Sequence, residues 1–159
     1  MSRRSLLTAG GLAPFVVGAP SFVATSSTAA PNYIGLSRSV PAVRAGTVTS
    51  INAEFATGGT VYFVTCSLAG TTVTPKAISG SFAIVSAGLQ TFTVSLPILT
   101  GEYVGVFLAA SPPNIGIQSS AVDAGYVIAS IGGAPVMGTP YAGSVAGATD
   151  ILCVNGTAT

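Results

Sequence analysis

Histidine and tryptophan are absent from this chain of 159 residues, and charged side chains make up only 6% of it. Without histidine there is no Ser-His-Asp or Cys-His nucleophile, and the commonest zinc ligand is missing. The carboxylates Glu54, Glu102, Asp123 and Asp150 lie far apart in sequence, so no acid/base pair of the glycosidase kind is in view. No Asp-x-Asp run is present to gather oxygen ligands around calcium. The glycine pairs in Ala9-Gly10-Gly11 and Ile131-Gly132-Gly133 lack the lysine of a phosphate loop and read as turns. A non-enzyme that binds no cofactor and no metal is the expectation. Formal net charge is +1, with Arg3 and Arg4 near the N terminus and Arg38, Arg44 and Lys76 scattered through the body. Counterion-release binding needs clustered cations, so nucleic acid is not an expected partner.

In place of charge the chain has threonine, serine, glycine and alanine, and its mean hydropathy is +0.73. The length suits one domain with a two-layer core. A neutral, weakly hydrated exterior suits contact with other subunits, and a homo-oligomer is expected.

The first thirty residues stand apart. Ser2-Arg3-Arg4-Ser5-Leu6-Leu7 opens a stretch with no further charge before Arg38, through Gly10, Gly11, Pro14 and Gly18, to the small triplet Ser27-Thr28-Ala29. Positive n-region, weakly apolar h-region and small residues are the layout of an export signal. The Ser-Arg-Arg-x-Leu-Leu core resembles a twin-arginine signal peptide in particular. The glycines and prolines that interrupt the segment argue against a membrane-spanning helix. The other reading is an extended arm that stays attached and presses Leu6, Leu7, Phe15, Val16 and Val17 against a neighbouring subunit. The domain organisation is therefore an arm or signal-like segment over 1–30 and a β domain over 31–159.

The body reads as short β-rich runs between Gly, Pro and Ser clusters, with no helical spacing. In Ser50–Phe55 the residues Ile51, Ala53 and Phe55 alternate with Ser50, Asn52 and Glu54, which predicts a half-buried strand. Thr60–Leu68 is a continuous apolar run and predicts a central strand covered on both faces. Further runs fall at 72–74, 81–85, 91–96, 103–109, 115–118, 125–130 and 150–154. The fold class is all-β, an antiparallel sandwich or jelly roll of about 8–9 strands with an N-terminal extended arm. The neutral Gly/Pro-rich stretch 131–149 is longer than most connections and is either a partner-binding loop or a crossover.

Phe92, Val94 and Leu96 alternate with polar neighbours and lead into Gly101-Glu102-Tyr103-Val104-Gly105. This pairing resembles a β-sandwich module of phage virion proteins and secreted bacterial surface proteins, over roughly residues 45–110. The resemblance implies a virion component, such as a decoration, fibre or host-attachment element at the virion surface. Its expected partners are other virion subunits, with a trimer the common choice in viral fibres, and a host-surface glycan. The alternative is a Tat-exported bacterial surface or periplasmic binding protein with its signal removed near Ala30. Locally, Gly101 starts its strand from a tight turn and Gly105 permits close backbone approach.

Tyr33, Tyr62, Tyr103, Tyr126 and Tyr141 are the candidates for sugar stacking or subunit anchoring. Cys66 and Cys153 sit in strand patterns and form either one disulfide, favoured by export, or two buried thiols, favoured by assembly in a cytoplasm.

Overall fold

The computed structural model describes residues 12–19, 23–119, 125–146 and 150–159. Among these there is no helix. Fourteen strands run in order: β1 Phe15–Gly18, β2 Ser26–Thr28, β3 Tyr33–Ser37, β4 Gly46–Phe55, β5 Gly59–Ala69, β6 Thr72–Ile78, β7 Phe82–Ile84, β8 Gly88–Ile98, β9 Tyr103–Leu108, β10 Ile115–Ser119, β11 Tyr126–Ser130, β12 Gly143–Ala146, β13 Asp150–Leu152 and β14 Val154–Ala158. They make two seven-stranded antiparallel sheets packed as a sandwich. Sheet I runs β1-β14-β4-β10-β13, with β2 also on β10 and β8 also on β4; sheet II runs β12-β11-β3-β9-β5-β6, with β7 also on β5.

The strand count of about 8–9 is corrected to fourteen. The additional strands are β1 and β2 inside the N-terminal segment, β3, and β12 inside the Gly/Pro stretch, and the run 150–154 is divided at Cys153. These strands have three to five residues each and carry little propensity of their own; they form by laddering onto β14, β10, β9 and β11. In β3, Gly35 is closely packed. A Cβ there would lie 3.1 Å from the Leu152 side chain, and one on its neighbour Gly105 would lie 2.5 Å from the Gly35 carbonyl oxygen. Gly105 therefore does allow the close backbone approach that its place in the sequence suggested.

The core between the sheets comes from period-two alternation. From sheet I, Ile51, Ala53 and Phe55 of β4 are buried, while Ser50, Asn52 and Glu54 on the other side are half-exposed. From sheet II come Val61 and Phe63 of β5 and Val104, Val106 and Leu108 of β9. Phe92 is the hub of a ring cluster, 4.9 Å from Phe63 and 5.1 Å from Phe82 between centroids and edge-on to Phe55 at 6.1 Å, while Phe63 lies 5.5 Å from Phe82. Thr65 points into the same layer with no exposure and is satisfied by donating its hydroxyl to the Pro97 carbonyl at 2.9 Å.

Sheet II is buried on its other face as well. Ile34, Leu36, Val64, Cys66, Val73, Phe107, Val127 and Ala129 form a second core there, flanked by Tyr62, Tyr103, Ile131 and Tyr141. The sheet curls until an isolated bridge between Val73 of β6 and Tyr141, two residues ahead of β12, links the ends of the strand order. Both backbone bonds of that bridge form, at 2.9 and 2.8 Å, and Gly138 donates to the Pro75 carbonyl at 2.8 Å. Part of the Gly/Pro stretch thus closes over this second core. The central strand predicted at Thr60–Leu68 is present as β5 and is covered on both faces.

Candidate interaction surface

Glu102, Glu54, Cys66 and Cys153 are each engaged in the fold. Glu102 is 5% exposed. Its Oε2 accepts from the Leu99 N–H at 2.8 Å and its own N–H donates to the Leu99 carbonyl at 3.0 Å. With Gly101 at φ +83° in the third position, this is a glycine-dependent reverse turn, clamped further by backbone bonds of Gly101 and Glu102 to Ala42. The Gly-acid-Tyr motif is therefore a turn-and-strand lock. Glu54 is half-buried, and its Oε2 accepts from the Ala24 N–H at 2.8 Å. It lines an open groove of about 420 Å³ beside β2, together with Thr25, Ser26, Phe55, Gly88 and Gly116. Among the described residues no cluster of three or more metal-binding side chains exists. Asp123 lies outside the described residues.

Cys66 and Cys153 are both free, buried thiols, so the disulfide alternative is not formed. Burial, reinforced by the Glu102 charge, pushes the Cys66 thiol well above its ordinary range. Burial and then Glu54 push Cys153 up to about 12. Both stay protonated at neutral pH and are poor nucleophiles. None of the five tyrosines is exposed. Tyr62 packs its ring 5.5 Å from Phe107, the Tyr141 hydroxyl accepts from the Val136 N–H at 3.0 Å, and Tyr126 is buried at 6% exposure with its phenol pushed up by burial and then by Asp150.

Leu6 and Leu7 lie outside the described residues. Phe15, Val16 and Val17 are in β1, which pairs along its length with β14, Phe15 opposite Ala158 and Gly18 opposite Asn155. Val17 has no exposure and belongs to the main core, Phe15 packs against that core, and Val16 faces outward at 44% exposure. Arg44, which the sequence did not mark, holds this strand. Its guanidinium lies 4.5 Å over the Phe15 ring and donates to the Ala13 carbonyl. The Gly18 N–H donates to the Val40 carbonyl at 2.7 Å, and Asn155 Nδ2 donates to the Ala19 carbonyl at 2.8 Å. β2 is a second tie, pairing with β10 from Ser26 opposite Ile117 to Thr28 opposite Ile115. A boundary at residue 30 therefore cuts through sheet I.

What the described surface offers is neutrality. Of its charged residues only Lys76 is exposed; Arg38, Arg44, Glu54 and Asp150 are half-buried and Glu102 is buried. The outer face of sheet I carries hydroxyl and amide rows, with Thr157, Ser50 and Thr93 opposite one another and Asn155, Asn52 and Thr91 in the next row. Asn52 joins the second row by accepting from Thr91 at 2.7 Å and donating to Asn155 at 3.1 Å. Such a face loses little on desolvation compared with one studded with ions. No protein-family model, curated protein or solved structure matches the chain.

Proposed function

We propose that this protein is a non-catalytic structural subunit of a phage-like particle, a decoration, fibre or attachment element at the virion surface. In this reading it keeps its N-terminal segment and works through contacts with other subunits. The observation that carries the proposal is β1. Val17 is fully buried in the main core, and Arg44 and Asn155 both hold the segment. Removing residues up to 29 would strip β1 and β2 from sheet I and leave apolar core and β14 backbone uncovered, a cost no signal peptide imposes on the domain it delivers. The described surface, on which only Lys76 among the charged residues is exposed, supports the subunit role, because assembly then desolvates hydroxyls and amides rather than charges.

The alternative, a Tat-exported surface or periplasmic binding protein, is favoured by the Ser-Arg-Arg-x-Leu-Leu opening. Intact mass of the native protein from its source separates the two. Retention of the residues through Ala30 in assembled particles is the expected result. A mature chain beginning near Ala30 overturns the proposal.

A further inference from the structure

The two sheets do not close equally at their sides. In sheet II the Val73–Tyr141 bridge ties one end of the strand order to the other. On the β1 side of sheet I, Val40 and Arg44 cover the last strand. β8 is different. It has 11 residues, pairs with β4 alone among the described residues, and has a second edge with no strand against it. Its inward-facing Gln90 and Val94 are half-exposed, whereas Ala53, opposite Gln90 on β4, and Ile51, opposite Phe92, have no exposure. The layer between the sheets is thus open to solvent along this edge.

Proteins usually blunt such an edge with lysine, an inward charge, or a very short strand. None of these is present in β8: no charged residue occurs between Lys76 and Glu102. The blunting features it has are Pro97 near its end and a register slip opposite Val48–Ser50, which leaves Gly88–Thr93 as a regular ladder.

We infer that the β8 edge pairs with the β8 edge of a second copy of this chain, antiparallel about a two-fold axis at Phe92, joining two copies of sheet I into one continuous sheet. The inference rests on the subunit reading above for its biological meaning, and it names the surface that reading needs. The occupant follows from self-complementarity. An antiparallel pair centred on Phe92 sets Thr91 opposite Thr93 on the outer face in both halves of the contact. On the inner face it sets Gln90 opposite Val94, so that the half-exposed inward side chains cover each other. In and out alternation is kept on both strands, threonine pairs are favourable cross-strand neighbours, and no like charges meet. The contact is isologous, so it makes dimers or links larger oligomers in pairs.

The test is analytical ultracentrifugation of the full chain beside two variants at the exposed Thr91 and Thr93. In T91K/T93K every facing pair carries like charge, and in T91K/T93E every facing pair carries opposite charge. Wild type is expected to dimerise, T91K/T93K to weaken the dimer by about 30-fold or more, and T91K/T93E to stay within about tenfold of wild type. Circular dichroism checks that both variants fold. Equal retention of the dimer by both variants places the contact elsewhere and overturns the β8 inference while leaving the subunit reading standing. Equal loss in both overturns this pairing, because Thr91 and Thr93 would then lie in the contact without facing each other. A wild type that stays monomeric at high concentration overturns the inference and counts against the subunit reading as well. Hydrogen exchange on wild type gives an answer without mutation, because the amides of 89–94 that point away from β4, every second residue, must gain protection as concentration rises. No gain overturns the inference.

Discussion

Sheet I and sheet II are built from the same neutral, β-branched vocabulary and differ in how many faces they bury. Sheet I buries one face and shows rows of threonine, serine and asparagine on the other. Sheet II buries both, Val61 and Phe63 toward sheet I and Tyr62, Val64 and Cys66 into the second core under its own curl. The difference changes what a mean hydropathy of +0.73 means. Much of that apolar content is consumed inside the chain, in a second core that a simple one-core sandwich would lack. What remains on the described surface is nearly free of charge and includes exposed apolar side chains such as Val85 and Leu89, and the subunit role proposed above draws on that lack of charge.

The comparison breaks most sharply on two phenylalanines. Phe63→Ala takes a fully buried ring out of the aromatic cluster and should destabilise by about 3–5 kcal/mol. If the far face of sheet II is a core of equal standing, Phe107→Ala should cost a similar amount, since Phe107 is 4% exposed and packs on Tyr62. Urea denaturation of both variants checks it. A Phe107→Ala loss under about 1 kcal/mol, in the range of surface changes, would reduce the second core to a loosely covered face. Gly105→Ala tests the β3–β9 contact that holds sheet II's middle together. Its added Cβ would stand 2.5 Å from the Gly35 carbonyl oxygen, backbone that has no rotamer to yield, so a loss of about 3 kcal/mol is expected.

The two sheets were also unequally legible. Within β4 and β8 of sheet I, residues 50–55 and 91–96 have a clean two-residue period with polar residues on one side, and the sequence marks them directly. β5 has no period because both of its faces are buried, and its continuous apolar run carried that meaning correctly. β1, β3 and β12 were not legible as strands. Phe15–Gly18 has the composition of a signal h-region, Gly35 breaks the propensity of β3, and Gly143–Ala146 lies in a stretch whose glycines and prolines read as loop. Each is short and gains its stability from a partner distant in sequence, which no local window contains. The site was less legible still. Arg44 gives no motif, and its role depends on Phe15 and Ala13 arriving beside it. That β8 is an edge is a fact of topology, and the run of uncharged residues from Ala77 to Gly101 is its only trace in the sequence.

A third prediction concerns the thiols, one in the doubly buried sheet and one at the β13–β14 junction. Both have folded-state values raised above the ordinary value near 8.5 of an unfolded chain. The unfolded chain then releases protons that the folded chain retains, so stability is intact below about pH 8.5 and falls as pH rises above it, toward about 12 for Cys153. The urea midpoint should decline between pH 8.5 and 10.5, and Cys66→Ala should flatten the decline. At pH 8 neither thiol should react with a thiol reagent until denaturant is added. Rapid labelling of native protein at either cysteine would show that its layer is open.

The smallest effect separates neighbours on β1. Val17→Ala removes two methyl groups from a fully buried site and should cost about 2 kcal/mol, whereas Val16→Ala changes a side chain that is 44% exposed and should stay within about 0.5 kcal/mol. Parity of the pair would mean that β1 adds no core to sheet I, and the N-terminal segment would then be free to serve as an arm reaching another subunit. A clear excess at Val17 ties the segment to its own domain. It also leaves Val16 as the residue of that strand available to a neighbour: Val16→Ala would then leave the melting curve unchanged and weaken assembly alone.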